Sequence, residues 1–235
     1  MKEEHIRTAA LLGEDNLNKL LRARVIVFGL GGVGSYVVEA LARAGVGALT
    51  LVDGDTVSLS NINRQLYALH STVGQHKTDV AAARVLDITP DCSVRTITAF
   101  VTPENVDDFF EGSYDFCVDA IDDTRAKTAI AVKCAAENVP LIAAMGTGRK
   151  LRSDGFRIAD INQTEYCPLC RVMRRKYKEA GLKKVTVLYS PDPPAPPQYD
   201  IKEDGGKTPP SSISFIPSAA GLRIAEYVVN ALIGR

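Results

Sequence analysis

Val25-Ile-Val-Phe28, Gly29-Leu-Gly-Gly-Val-Gly34 and, farther on, Leu49-Thr-Leu-Val52-Asp53-Gly-Asp55 decide how this chain folds. An apolar strand ends in a glycine-rich turn, and a helix begins near Val33. Glycine permits a tight strand-to-helix turn and lets the backbone approach a phosphate resting on the helix N-terminus. A second apolar strand follows about 20 residues later, and the acids at its end, Asp53 and Asp55, are placed to hold a ribose hydroxyl. Gly29, Gly31, Gly32 and Gly34 thus mark an adenine-nucleotide site, which leaves a nicotinamide or flavin enzyme open.

The polar run behind the second strand narrows the chemistry. Hydride transfer needs no Asn, Arg and Gln directly after the ribose acid. Yet Asn61, Arg64 and Gln65 follow Asp55, and Gly74-Gln-His-Lys77 comes next at an expected helix start. An arginine and a lysine near one nucleotide neutralise a triphosphate and stabilise the charge that moves to pyrophosphate. Farther on, the apolar Tyr114–Val118 runs into Asp119-Ala-Ile-Asp122-Asp123. Carboxylates at the C-terminal end of a parallel strand lie where such sheets bind ligands, and hard oxygen ligands suit Mg²⁺. The alternative is that Asp122 and Asp123 cap the next helix, with Thr124 and Lys127 in its first turn.

The succession G-x-G-G-x-G from Gly29, D-x-D-x-V-x-x-x-N-x-x-R-Q from Asp53, Lys77, and D-x-x-D from Asp119 resembles the ThiF/MoeB/HesA adenylyltransferases. These are bacterial relatives of the ubiquitin-activating enzymes, and the likeness covers nearly the whole chain. It implies that Gly31 and its neighbours lie against ATP and that Asp55 holds the ribose. Asn61, Arg64 and Lys77 would meet the phosphates, and Asp122 would hold Mg²⁺. It further implies a homodimer in which Arg7 reaches into the partner's active site, making Arg64, Lys77, Asp122 and Arg7 the catalytic set.

A chain of 235 residues suffices for one α/β domain with a well-buried core. Its 46% hydrophobic and 24% charged content fits a soluble globular protein. Net charge is zero, so any basic site must be local. Neither a signal-like apolar run nor a stretch approaching about 18 apolar residues is present, so a cytoplasmic protein without membrane association is expected.

Continuous apolar strands at Val25–Phe28, Leu49–Val52, Val94–Thr98, Phe116–Asp119 and Leu141–Ala144 alternate with helical stretches. Those helices are expected near Val33–Ala44, Thr78–Ile88, Asn105–Phe110 and Thr124–Glu137. This pattern specifies a Rossmann-like, doubly wound α/β fold, with a mainly parallel sheet covered on both faces. The nucleotide-binding core should span about 20–150. The region 151–235 would serve substrate binding and dimerisation, with a strand at Phe156–Ile161, a basic helix at Pro168–Ala180 and a strand at Val185–Tyr189. Seven of the twelve prolines fall between Pro191 and Pro210, which reads as a mobile loop over about 191–212. A last amphipathic helix, Ala219–Ile233, would pack through Leu222, Ala225, Val229 and Leu232.

Cys167-Pro-Leu-Cys170 imitates half of a zinc site. Family members that bind structural zinc use two such pairs, and a tetrahedral site needs four ligands. No cysteine or histidine follows Cys170, so zinc is not expected. The remaining cysteines, Cys92, Cys117 and Cys134, lie in the nucleotide-binding half, and the odd total of five argues against a disulfide framework. The pair is read as structural or incidental.

Asp160-Ile-Asn-Gln-Thr164, the Pro-Leu-Cys-Arg171-Val-Met-Arg174-Arg175 run and Val-Leu-Tyr-Ser190 before a Pro-rich acidic loop resemble one branch of the family, the tRNA threonylcarbamoyladenosine dehydratases. That likeness implies tRNA as substrate, cyclisation of a threonylcarbamoyl group through an acyl-adenylate, and leaves a sulfurtransferase partner open. Rivals are adenylation of a ubiquitin-like sulfur carrier's terminal glycine, an NAD-dependent oxidoreductase, and a non-catalytic nucleotide-binding scaffold. Arg171, Arg174, Arg175 and Lys178 recur at three- and four-residue spacing, so they should form one basic helix face for tRNA.

Overall fold

The computed structural model describes residues 2–199 and 211–235. Seven strands form one sheet: β1 (Arg24–Phe28), β2 (Ala48–Val52), β3 (Ser93–Ile97), β4 (Phe116–Asp119), β5 (Leu141–Ala144), β6 (Arg157–Asp160) and β7 (Thr186–Tyr189). Their spatial order is β3-β2-β1-β4-β5-β7-β6. Neighbours are parallel except β6, which closes the edge antiparallel to β7.

Successive strand residues point to opposite faces, so a strand apolar at every position must be covered twice. In β1, Val25 and Val27 enter one core, where they meet Val37, Leu41 and Ile224. Ile26 and Phe28 enter the other, with Phe109, Tyr114 and Ile130. The helices that supply these layers are α1 (Ile6–Leu12), α2 (Glu14–Arg22), α3 (Gly34–Ala44), α4 (Lys77–Ile88), α5 (Thr124–Ala136), α6 (Pro168–Glu179) and α7 (Phe215–Ile233). A third cluster packs Met173 and Tyr177 of α6 against Ala143, Val187 and Tyr189 at the β5–β7 end.

The chain winds from β1 to β2 and β3 in one direction, and from β4 to β5 in the other. The crevice at the C-terminal ends of β1 and β4 is therefore the switch point, where open α/β sheets bind ligands.

Three local expectations change. The helix expected at Asn105–Phe110 is only a 3-10 turn, Val106–Phe109. Asn105 accepts a hydrogen bond from Thr102 N (2.7 Å) and donates to Phe100 O (2.9 Å), so its side chain offers the backbone a turn in place of a helix. The last helix starts at Phe215, ahead of the expected Ala219. Pro217 does not stop it, because first-turn N–H groups have no intrahelical acceptor to lose. The packing stripe of α7 runs through Pro217, Ala220, Gly221, Ile224 and Val228 with Ala225, whereas Leu222 is exposed.

Of the loop expected at about 191–212, residues 200–210 lie outside the described residues. Its described flanks are held by Arg149, whose N–H donates to Ser211 O (2.8 Å) and whose O accepts from Ala195 N (2.7 Å). Among the described residues no helix is long and apolar enough to cross a membrane.

Candidate nucleotide and substrate site

The glycine loop is dictated by close approach. Gly29 has φ +86°, and a Cβ there would lie 2.7 Å from Ala120 O, so the turn out of β1 can press directly on the loop after β4. A Cβ on Gly34 would fall 1.7 Å from Gly29 O, which no side chain survives. Gly32 lies under Pro217 and 3.6 Å from Arg64 O, and Gly31 faces the Gln65 amide at 3.7 Å, both measured from an added Cβ. The loop is thus clamped by α7, by the Asn61–Gln65 segment and by the turn after β4, with the N-terminus of α3 opening from it.

Asp53 and Asp55 take different parts. Asp53 accepts Leu30 N (2.6 Å) and Asp55 N (2.8 Å), tying the glycine loop to the end of β2. Burial raises its pKa, opposed by the charge of Lys77 and by those two N–H donors. Asp55 is the exposed acid, and its carboxylate pairs with Lys77 Nζ at 2.7 Å. Lys77 opens α4 with its side chain 6% exposed, so its ammonium is sheltered from water.

The side chain of Asn61 caps its own turn, accepting from Ser58 N at 3.2 Å. Arg64, half-buried, donates through Nη1 to Ser60 O (2.9 Å) and Asn63 Oδ1 (2.8 Å). Asn63 in turn reaches Ser212 O (3.0 Å), linking the phosphate-side segment to the approach of α7.

Beyond β4, the three acids separate. Asp119 is fully buried and pairs with Lys127 at 3.0 Å. Burial raises its pKa, and Lys127 opposes that shift. Lys127 also donates to Ala144 O (2.8 Å) and Ile121 O (3.2 Å), so it fastens the 120–123 loop to the end of β5. Asp123 is the N-cap of α5, accepting Arg125 N (2.8 Å) and Ala126 N (2.9 Å). Asp122 is exposed and stands outside both arrangements. Sequence reasoning placed Lys127 in the first turn of this helix but missed its buried role, although a signal existed: it shares the buried stripe of α5 with Ile130, Ala131 and Cys134.

The basic helix is less uniform than its spacing suggests. Arg171, Arg175 and Lys178 of α6 are exposed. Arg174 is not free alongside them: its guanidinium donates to Ile161 O (3.0 Å), Thr164 O (2.5 Å) and Thr164 Oγ1 (2.6 Å). It anchors α6 to the turn after β6. Lys176 instead borders a groove of about 660 Å³ between α5 and α6, with Arg125 and Lys133 on the same walls.

Arg7 is exposed on α1. The preceding His5 ring packs on Gly45, the C-cap of α3, at the far end of that helix from Gly34. An 11-residue helix is about 16 Å long, so Arg7 stands well away from its own glycine loop.

The sequence model of the ThiF family matches residues 3–235. A tRNA threonylcarbamoyladenosine dehydratase of Bacillus subtilis is 40% identical, over 99% of this chain and 96% of the relative. The crystal structure of the E. coli tRNA N6-threonylcarbamoyladenosine dehydratase in complex with AMP superposes with a TM-score of 0.88 at 32% identity, covering 97% of this chain and 93% of that one. Its complex with ATP superposes equally well, at 31% identity.

Proposed function

The chain belongs to the ThiF family, and from that premise we propose that it carries out the ATP-dependent cyclisation of threonylcarbamoyladenosine in tRNA. The near end-to-end 40% identity with the Bacillus subtilis dehydratase carries this reading. The glycine loop at the β1–β4 switch point, with an exposed ribose acid and two cations beside it, suits the ATP that the reaction consumes.

The threonylcarbamoyl carboxylate attacks the α-phosphorus of ATP, and pyrophosphate leaves. The side chain's ureido nitrogen then attacks the acyl-adenylate carbonyl, loses its proton and expels AMP. The oxygen that cannot depart as oxide leaves on AMP, a good leaving group. The attacking carboxylate is already an anion, so the first step needs positioning and charge neutralisation more than a general base. Arg64 and Lys77 supply the cations, and Asp55 is the acid for the ribose. A sheltered ammonium such as that of Lys77 acts on phosphate charge more strongly than an exposed one.

Asp122 is the residue we assign to Mg²⁺. Asp119 is committed to Lys127 and Asp123 to its helix, while Asp122 remains exposed at the same edge. Mg²⁺ commonly takes one or two carboxylates and completes its shell with water and phosphate oxygens, which a single acid fits. When bound, the ion would neutralise phosphate charge.

We further assign residues 20–150 to nucleotide binding and 151–235 to substrate and dimer contacts. The working form is a cytoplasmic homodimer completed by Arg7 in trans. The deciding experiment supplies ATP, Mg²⁺ and tRNA bearing threonylcarbamoyladenosine, followed by mass spectrometry of the nucleosides. A nucleoside lighter by one water, with AMP and pyrophosphate formed, is expected. Unchanged tRNA together with adenylation of a sulfur carrier's terminal glycine would replace this reading.

A further inference from the structure

Among the described residues, three that are not glycine have a positive φ: Asn138 (+55°), Arg149 (+56°) and Tyr166 (+53°). Asn138 follows α5, where chains commonly pass through the left-handed region and asparagine tolerates it. Val139 N–H donates back to Cys134 O there (2.9 Å) and closes the helix end. Neither reason serves Arg149 or Tyr166.

Tyr166 is the centre of a γ-turn, because Cys167 N–H donates to Glu165 O across it (2.7 Å). With a positive φ at its centre, this is the rare and strained form of that turn. Both ends are pinned. The Arg174 guanidinium holds Thr164 by its carbonyl and its hydroxyl. Cys167 is buried as the N-cap of α6, and Pro168 fixes the first turn of the helix. Glycine would make the reversal between these points without strain. The chain places a bulky aromatic there instead, and it is 79% exposed, so the strained backbone delivers the ring to solvent and not to the core. Strain that the surroundings impose in this way clusters at ligand-binding sites.

The turn stands at the ligand-binding edge of the sheet. A Cβ built on Gly146, two residues past β5, would lie 3.8 Å from Leu169 Cβ and 4.0 Å from Cys167 Sγ, so the start of α6 abuts the end of β5. Lys127 ties the carbonyl of Ala144, the last residue of β5, to the loop that presents Asp122. Arg149, three residues after Gly146, is exposed, and its backbone is bonded to Ser211 O and Ala195 N. The first turn of α6 adds the exposed Arg171. Exposed aromatic rings accompanied by cations are what unpaired bases stack on.

We propose that Tyr166 is a stacking platform for an unpaired RNA base that neighbours the reacting adenosine, with Arg149 meeting the adjoining phosphate. The inference rests on the tRNA reading above. Stacking one neighbouring base holds the loop so that the threonylcarbamoyl carboxylate can rest at the α-phosphate of ATP. Every base has a π-face, so the platform positions the loop without reading its sequence.

The chain contains no tryptophan, so in a Tyr166→Trp protein the new indole is the sole such fluorophore. Its emission should be quenched by an anticodon stem-loop RNA bearing threonylcarbamoyladenosine. Abasic sites on both sides of the modified adenosine should abolish the quenching. Tyr166→Ala should raise the Kd for the intact RNA about tenfold, Tyr166→Phe by less than about twofold, with the KM for ATP unchanged in both. Arg149→Ala should weaken binding and flatten its salt dependence. Tyr166→Gly should bind RNA as poorly as Tyr166→Ala, yet unfold at a denaturant midpoint no lower than wild type, because glycine relieves the turn. A lowered midpoint in that variant would make the ring a structural element and overturn the proposal. Emission that ignores the RNA, or undiminished affinity in Tyr166→Ala, would overturn it too, while cyclisation by the wild type would leave the tRNA reading standing. Wild-type protein that neither binds nor cyclises this RNA would remove both.

Discussion

Lys127 Nζ lies 3.0 Å from Asp119 Oδ2, and neither side chain is exposed to solvent. The same ammonium holds the carbonyls of Ile121 and Ala144. One buried cation therefore neutralises the acid at the end of β4 and fixes the loop that presents Asp122.

Lys127→Met should lower stability by about 3–5 kcal/mol, because it strands a buried carboxylate. Adding Asp119→Asn should recover part of that loss. Burial already raises the pKa of Asp119 and only Lys127 opposes it strongly, so the single variant's carboxyl must rise further. A group whose folded pKa is raised binds more protons folded than unfolded, so the variant's deficit should shrink as pH falls below its folded pKa. Denaturant unfolding at several pH values checks this. A loss under about 0.5 kcal/mol would mean that the pair carries no such load.

The neighbouring acids should separate cleanly. Asp122→Ala should keep wild-type stability and lose nearly all pyrophosphate release. Asp123→Ala should cost about 1 kcal/mol as a lost helix cap. The N–H of Ala126 chiefly holds the Asp123 carboxyl below its usual range. Its contribution is present above the unfolded pKa and disappears as pH falls through the folded one, so the cost should fade in acid. Wild-type turnover in Asp122→Ala, or ADP as product, refutes the role given to Asp122.

On α6, charge reversal should depend on burial. Arg171→Glu, Arg175→Glu and Lys178→Glu combined should weaken tRNA binding strongly at low salt and leave ATP binding and folding unchanged. Arg174→Glu should instead destabilise the protein by more than about 2 kcal/mol, since it removes three bonds to the turn after β6 and inserts an acid facing carbonyls. Undiminished tRNA affinity in the triple variant would take this face out of the tRNA site.

Arg7→Ala and Asp122→Ala proteins should each be inactive alone. Mixed under conditions of subunit exchange, they should regain activity through heterodimers that hold one intact site. Demonstrated exchange without rescue would rule out completion in trans.

The glycine spacing, the period of the strands and the order of acids and cations along the chain were enough to specify a doubly wound sheet and an ATP site. Those features are local: a φ of +86° at Gly29, or the four apolar residues that end β1, is written in the residues that adopt it. What the chain could not state was which of several similar side chains remains free. Asp119, Asp122 and Asp123 are interchangeable as letters. Only packing decides that the first is sealed against Lys127, the third caps α5 and the second is exposed. Arg174 looks like its neighbours on a helical wheel until β6 and its following turn offer it carbonyls from below. Cys167 and Cys170 looked like half a metal site, and the fold buries both at the N-terminus of α6. Charge and hydrogen-bond partners come from residues distant in the chain, and desolvation from the layers above them, so these roles are set by the tertiary structure alone.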